Sequence, residues 1–350
     1  MIRIEPRFAP SRTLRLAVPA LAAATALLLA AVPLALAGAD VVRAYGLMLQ
    51  GTVGSVFTVT ETLTRATPLI LTGLAAAVAF RAKLWNIGAE GQLYLGALAA
   101  VVVGGGAIDA PAWILAPLVA LAGAAAGAVG MAVPTWLKTR LGVDEVVTTL
   151  LLNFVILLFV QMMLEGPLKD PMGMGWPQSV PVVPAAELPP LVERMRVHAG
   201  LLVGLAAAVV AAVALARTVW GFRVRAVGEN AAAARHAGIP VARTLLSVGI
   251  VSGGLAGLAG ASEIAGLKGY LTADLSPGFG YAGIVVAMLA GLSPLGVVAA
   301  ATFVAAVFVG ADSMSRALGV SSYLADLVVA LSLLCVLVGG FVARYRIVRR

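Results

Sequence analysis

The sequence predicts an all-α, polytopic membrane protein: a single transmembrane domain over residues 1–350 with about ten spanning helices. Three observations predict it. Of the 350 residues, 61% are hydrophobic and 11% charged, against roughly 25% charged in an ordinary soluble protein. Mean hydropathy is +1.03. Apolar runs of about 20 residues recur along the chain, the length needed where lipid offers no partner to backbone N–H and C=O groups. This composition excludes a soluble enzyme, a disordered chain and a disulfide-stapled secreted domain. The one cysteine, Cys335, sits in an apolar run and reads as a small buried hydrophobe.

The apolar intervals are, in order, 14–37, 63–80, 88–107, 112–136, 146–164, 199–219, 244–264, 280–293, 295–311 and 323–343. The first follows Arg3, Arg7, Arg12 and Arg15 and ends at Ala35-Leu36-Ala37, which resembles a signal-peptidase site. A cleaved signal has an apolar core of about 7–15 residues. This longer run reads as an uncleaved first helix. The eighth and ninth intervals are short and separated only by Ser293-Pro294, so one of them is a candidate half-helix or re-entrant segment.

Charge placement tests the topology. The net charge is +8, which in a soluble protein would suggest nucleic acid. With ten spans, one side of the membrane receives Arg3, Arg7, Arg12, Arg15, Arg81, Lys83, Lys138, Arg140, Arg217, Arg223, Arg225, Arg235, Arg243, Arg344, Arg346, Arg349 and Arg350. The other receives only Arg43, Arg65, Lys169, Arg194, Arg196, Lys268 and Arg316. The positive-inside rule assigns the first set, and both termini, to the cytoplasm. Most of the basic excess is thereby explained by insertion, and no nucleic acid is expected.

Two connecting segments are long. The external one, about 165–198, carries seven prolines from Pro167 to Pro190, which disfavours a regular helix and predicts an extended, ordered cap. It is either a connector or a docking surface for an extracytoplasmic partner. The cytoplasmic one, about 217–243, is polar and basic but holds the helix-forming run Ala231–Ala234. Asn230 is placed to cap its start, Gly238 to end it, and Pro240 to prevent its return. A short helix of about two turns follows, either a plain surface helix or one that docks in a partner's groove.

Few residues carry chemistry. There is no GxxxxGK[ST], HExxH or GxSxG sequence, and the two histidines, His198 and His236, lie far apart. No catalysis and no bound cofactor or metal is expected of the chain. Asn86, Glu90 and Gln92, with Gly88 and Gly91 beside the acid, stand where a span begins. They suit a broken helix at a path or gate, or a polar helix start with Glu90 favoured by the helix dipole. Gly253, Gly257 and Ala261 form one small-residue row, and Ser252, Ala256 and Gly260 another, as in close helix packing. Glu263 ends that helix. Asn153 and Gln161, eight apart and read as sharing a face, either line a polar path or bond neighbouring helices.

Several of these segments resemble a known family. Phe80-Arg-Ala-Lys-Leu-Trp-Asn-Ile-Gly-Ala-Glu-Gly-Gln92 is similar to the FNIGAEGQ signature of permease subunits of simple-sugar and nucleoside ABC importers. Arg225–Ile239 resembles the cytoplasmic coupling segment of the same permeases, and Thr67–Leu74 and Gly291–Gly296 look like further family segments in the expected order. The alanines at 231–234 depart from the Pro-Glu that relatives often place there. The resemblance implies a type II-like permease fold of roughly ten helices in a bacterial plasma (inner) membrane. It also implies a second permease subunit, identical or related, a separate ABC ATPase subunit that binds the ATP, and an extracytoplasmic substrate-binding protein. The solute is expected to be small and polar, a nucleoside first and a simple sugar second. Glu229, Asn230, Ala233, Arg235 and Gly238 are the expected coupling residues. Asn86, Glu90, Gln92, Asn153 and Glu263 are candidates for the path or gate. The rival readings are an ion-coupled secondary transporter, which would want more ionisable residues at mid-span, and a membrane scaffold or sensor.

Overall fold

The computed structural model describes the backbone of residues 2–6 and 12–349. Arg7 and Arg350, counted above among the cytoplasmic charges, lie outside the described residues. A helix lies over each of the ten apolar intervals. In chain order the elements are strand β1 (Ile2–Pro6), then helices α1 (Arg12–Leu36), α2 (Val41–Val53), α3 (Val56–Arg81), α4 (Ala89–Gly104), α5 (Ala112–Leu141) and α6 (Glu145–Glu165). They continue with α7 (Gly200–Arg217), α8 (Val219–Glu229), α9 (Ala231–His236), α10 (Val241–Glu263), α11 (Phe279–Leu289), α12 (Pro294–Leu318), α13 (Ser322–Arg344) and strand β2 (Tyr345–Arg349). Among the described residues, six helices are long and apolar enough to cross a membrane: α3, α5, α6, α7, α10 with its π extension, and α12. Ala24–Leu36 and Val41–Val53 make a further candidate, bent by 118°.

Two elements depart from the expectation of one span per apolar interval. The eighth interval holds only α11, whose 11 residues rise about 16 Å against a hydrocarbon core of about 30 Å. The 16 residues of α4 rise about 24 Å. Both are apolar but short of a crossing. The two β-strands also fall outside the helical expectation: β1 pairs antiparallel with β2, from Ile2 opposite Arg349 to Pro6 opposite Tyr345. That pairing brings the two ends of the described chain side by side.

The chain divides into two compact units, residues 1–62 with 303–350, and residues 63–302. In the first, α1 lies along α13, and Ala30, Leu34, Ala44, Met314 and Val328 form a buried core. The Asp40 carboxylate caps α2, accepting from the N–H groups of Val42 and Arg43 at 2.9 and 3.1 Å.

In the second unit α4 is central, with 12 of its residues buried, and α5, α6, α10 and α11 surround it. The small-residue rows of α10 meet two neighbours, and Gly257 touches both, its carbonyl lying against Gly96 of α4. A methyl on Gly253 or Gly257 would overlap the backbone of α5 at Gly127 and Gly123, and one on Gly260 would overlap the Leu93 carbonyl of α4. Helix backbones therefore touch with no side chain between them. The proline-rich segment is an ordered strap, as its composition predicts. It lies against residues 265–271, with the N–H groups of Ser179, Val182 and Leu188 donating to the carbonyls of Leu271, Gly269 and Ala265 at 2.7–2.9 Å.

Candidate functional site

The path candidates Asn86, Glu90, Gln92 and Asn153 come together at the start of α4; Glu263 does not. Between α3 and α4 the chain leaves the helix over residues 82–88. The freed backbone groups need partners, because an unpaired buried N–H or C=O costs as much as a lost hydrogen bond. Asn86 and Gln92 answer each other first. The Asn86 amide donates to Gln92 Oε1 at 2.8 Å, and the Gln92 amide donates back to Asn86 Oδ1 at 2.9 Å. Asn86 Nδ2 also donates to Ser252 Oγ at 2.9 Å, and the Ser252 hydroxyl donates to the Ala75 carbonyl at 2.7 Å. Asn86 and Ser252 are fully buried and Gln92 almost so. The pair locks α4 to α3 and α10.

Helix α6 closes the other side. Asp144 caps it, and Glu145, Thr149 and Asn153 repeat every four residues on its buried face. Glu145 Oε1 accepts from the Trp85 N–H at 3.2 Å, Thr149 Oγ1 from the Ile87 N–H at 3.3 Å, and Asn153 Oδ1 from the Gly91 N–H at 2.9 Å. The Asn153 amide donates to the Ile87 carbonyl at 3.0 Å and to the Tyr281 hydroxyl at 3.2 Å. Lys138 forms an ion pair with Glu145. Gln161 does not join this ladder: it is exposed while Asn153 is buried. Eight residues turn a helix by about 80° beyond two full turns; the drift from Glu145 to Asn153 stays within the buried face, and a further eight residues carry Gln161 out of it.

Glu90 faces the start of α11. Its Oε2 accepts from the Gly280 N–H at 2.7 Å. A methyl on Gly280 would overlap the Glu90 backbone, so α11 reaches the carboxylate only because residue 280 is glycine. One turn along α4, the Tyr94 hydroxyl donates to the Ala273 carbonyl at 2.8 Å and accepts from the Ser276 N–H at 3.1 Å. The irregular segment before α11 thus runs beside α4, with its Ala273 carbonyl and Ser276 N–H satisfied by the Tyr94 hydroxyl. Glu263 is buried where α10 passes into a π turn over Ile264–Lys268. It lies 11 residues from Ser252, about 16 Å along the same helix, and is separate from the amide cluster.

The coupling candidates form a second, exposed site. The Asn230 side chain accepts from the Ala232 and Ala233 N–H groups, both at 3.0 Å, and caps α9. At the other end, the Gly238 N–H donates to the Arg235 carbonyl and the Ile239 N–H to the Ala234 carbonyl, each at 3.0 Å, with Gly238 at φ +79°. This Schellman pair requires the left-handed backbone that glycine adopts freely. The helix buries Ala234 alone and leaves Glu229, Asn230, Ala233, Arg235 and Gly238 at the surface. Helix α8, unforeseen in the sequence, carries this segment onto the corner after α3. Lys83 Nζ donates to the Glu229 carbonyl at 3.4 Å, and Gly228 touches the Arg81 backbone.

A family model described as branched-chain amino acid transport system / permease component matches residues 58–337. The chain belongs to that permease family. It is 40% identical to the glucose ABC transporter permease protein of Haloferax volcanii, over 99% of this chain and 93% of that one. It is 36% identical to the guanosine ABC transporter permease protein of Bacillus subtilis, over 93% and 94%. It is 31% identical to a nucleoside ABC transporter permease protein of Lactococcus lactis, over 87% and 86%. No solved structure matches it. The protein is therefore a multi-pass membrane permease, a transport component rather than an enzyme. Three residues of this permease's cluster went unread in its sequence, Glu145, Thr149 and Tyr281, and Ser252 was read only as part of a small-residue row. The four-residue repeat from Glu145 to Asn153 was the available signal for the first two.

Proposed function

We propose that the permease forms, with a second permease subunit, the path of an ATP-binding cassette importer for a nucleoside, and couples that path to a separate ABC ATPase. The observation that carries the reading is the contact of α8 with the corner at 81–83. An ATPase that draws on Glu229, Asn230, Ala233, Arg235 and Gly238 would act, through Gly228 and Lys83, on the segment whose far end holds Asn86, Glu90 and Gln92. ATP is bound and hydrolysed by the partner, and the chain itself holds no cofactor. Alternating access requires the nucleotide states of the ATPase to bind the two conformations with different affinity.

Ten spans complete the proposal, the short α4 and α11 each crossing together with the irregular chain before it, at residues 82–88 and 269–278, with both termini in the cytoplasm of a bacterial plasma (inner) membrane and the whole chain serving as one transmembrane domain. The basic residues and the pairing of β1 with β2 support it. The exposed Met172, Met174 and Trp176 on the proline-rich strap suit docking of an extracytoplasmic substrate-binding protein. A nucleoside is favoured by the guanosine and nucleoside permeases among the relatives. The glucose permease at 40% identity favours a simple sugar as the second reading. A thermal-shift screen of the cognate binding protein decides between them: a purine or pyrimidine nucleoside should stabilise it, and stabilisation by sugars alone would overturn the first choice. Replacing Ala233 or Gly238 by glutamate should abolish uptake while the protein remains inserted.

A further inference from the structure

Helix α5 carries alanine at 112, 116, 120 and 124, a column of methyls at four-residue spacing. Val203 of α7 and Leu258 of α10 stand opposite, and the strap from Pro184 to Pro190 closes one end; together they bound an apolar groove of about 940 Å³. That is at the upper end of the roughly 300–1,000 Å³ of small-molecule sites. Behind Ala116 and Ala120 an annex of about 30 Å³ reaches Ser262. The Ser262 hydroxyl is buried, its residue 4% exposed, and has no hydrogen-bond partner among the described residues. The groove shares Glu187, Leu188 and Pro190 with a polar basin of about 330 Å³, also lined by Arg196, His198 and Lys268. His198 Nε2 is likewise buried without a partner. The annex shares Leu188 with both groove and basin, and so lies at their junction.

Along this chamber the chemistry runs from apolar wall, to a lone hydroxyl donor, to two cations beside one carboxylate. A diacyl glycerophospholipid presents the same order: acyl chain, ester carbonyl, phosphate and a terminal ammonium. The helices that form the walls, α5 and α7, have about a third or less of their apolar windows buried, so the groove has lipid for a neighbour. We propose that this site holds one zwitterionic membrane phospholipid. An acyl chain lies along the alanine column and an ester carbonyl accepts from Ser262. The phosphate sits at Arg196 and Lys268, with the ammonium toward Glu187. Only the leaflet, the outer one, rests on the topology proposed above.

Native mass spectrometry of the purified full-length protein, taken from nanodiscs of equal phosphatidylethanolamine and phosphatidylglycerol, tests it. One phosphatidylethanolamine should survive release from the nanodisc, retained several-fold over phosphatidylglycerol. Ala120→Trp fills the groove and should lower retention at least tenfold. Ser262→Ala leaves the shape intact and should lower it two- to fivefold. Retention unchanged in both variants, no preference between the two lipids, or a protein helix in place of lipid when Leu121→Cys is cross-linked would each overturn the proposal.

Discussion

Gly228, in the last turn of α8, and Arg81, the last residue of α3, meet backbone to backbone: a methyl on Gly228 would overlap the Arg81 carbonyl oxygen. No side chain cushions the contact, so a displacement of α8 is passed directly to the chain that leads to Asn86. Gly228→Val should prise the two apart. Uptake is expected to fall more than tenfold at normal membrane abundance, and ATP hydrolysis by the assembled transporter should lose its response to solute. Normal uptake by this variant would remove the contact from the mechanism.

Asn153 satisfies three groups at once, the Gly91 N–H, the Ile87 carbonyl and the Tyr281 hydroxyl. Leucine in its place would strip the buried Gly91 N–H and the half-buried Ile87 carbonyl of this partner, the buried group alone being worth about 1–3 kcal/mol. Thermal unfolding in detergent should show Asn153→Leu destabilised by several degrees. The exposed Gln161→Leu should stay within about 0.5 kcal/mol of the parent. Equal effects at the two positions would refute the buried ladder.

The cap of α9 rests on a single oxygen, Asn230 Oδ1. Removing an N-cap side chain costs about 0.5–2 kcal/mol, a large share of the stability of a six-residue helix. Asn230→Ala should speed amide hydrogen exchange at residues 232–235 and lower uptake. Asn230→Asp, which keeps the acceptor, should restore both. Slow exchange in the alanine variant would show that packing rather than the cap holds the helix.

Burial holds the His198 imidazole neutral, pushing it down from 6.5 to about 4, and only 1% of the residue is exposed. The unfolded chain binds the proton near pH 6.5, and the folded chain does not until about pH 4. Stability from this group is therefore complete above about pH 6.5, falls as the pH drops from there toward 4, and is level below. The full change is up to about 3 kcal/mol. Unfolding temperature measured against pH should show the parent losing stability across that window relative to His198→Gln. Parallel curves for the two proteins would rule this out.

Long-range periodicity and turn chemistry were legible in the sequence, while side-chain reciprocity was not. The apolar intervals foretold where helices lie because each needs only local hydrophobicity. The caps of α9 were readable because Asn230 and Gly238 act on backbone within four residues. Helix α8 was hidden by its polar, basic surface, and α2 by the shortness of its apolar face. The reciprocal amides of Asn86 and Gln92 depend on a non-helical turn, and their bond to Ser252 spans 166 residues; spacing along the chain shows neither. Asn153 and Gln161 were placed together by a four-residue rule that drifts about 40° with each step. The segment before α11 is held against α4 by hydrogen bonds to Tyr94, and Glu90 takes the N–H of Gly280 in α11 itself; no spacing along the chain shows either.

Between most helices side chains act as rollers, letting one cylinder slip or tilt over another in small steps. Along Gly123 and Gly127 of α5 and Gly253 and Gly257 of α10 there are none. The two helices form a single plank about two helix diameters wide, stiff to sliding and to twist. Motion that opens or closes a path past this plank has to be taken up where the chain is not regularly wound, at residues 82–88 on one side and the π turn at 264–268 on the other. In the importer proposed above, those two stretches, each tied down by hydrogen bonds to its neighbours, would have to exchange partners for the board to swing.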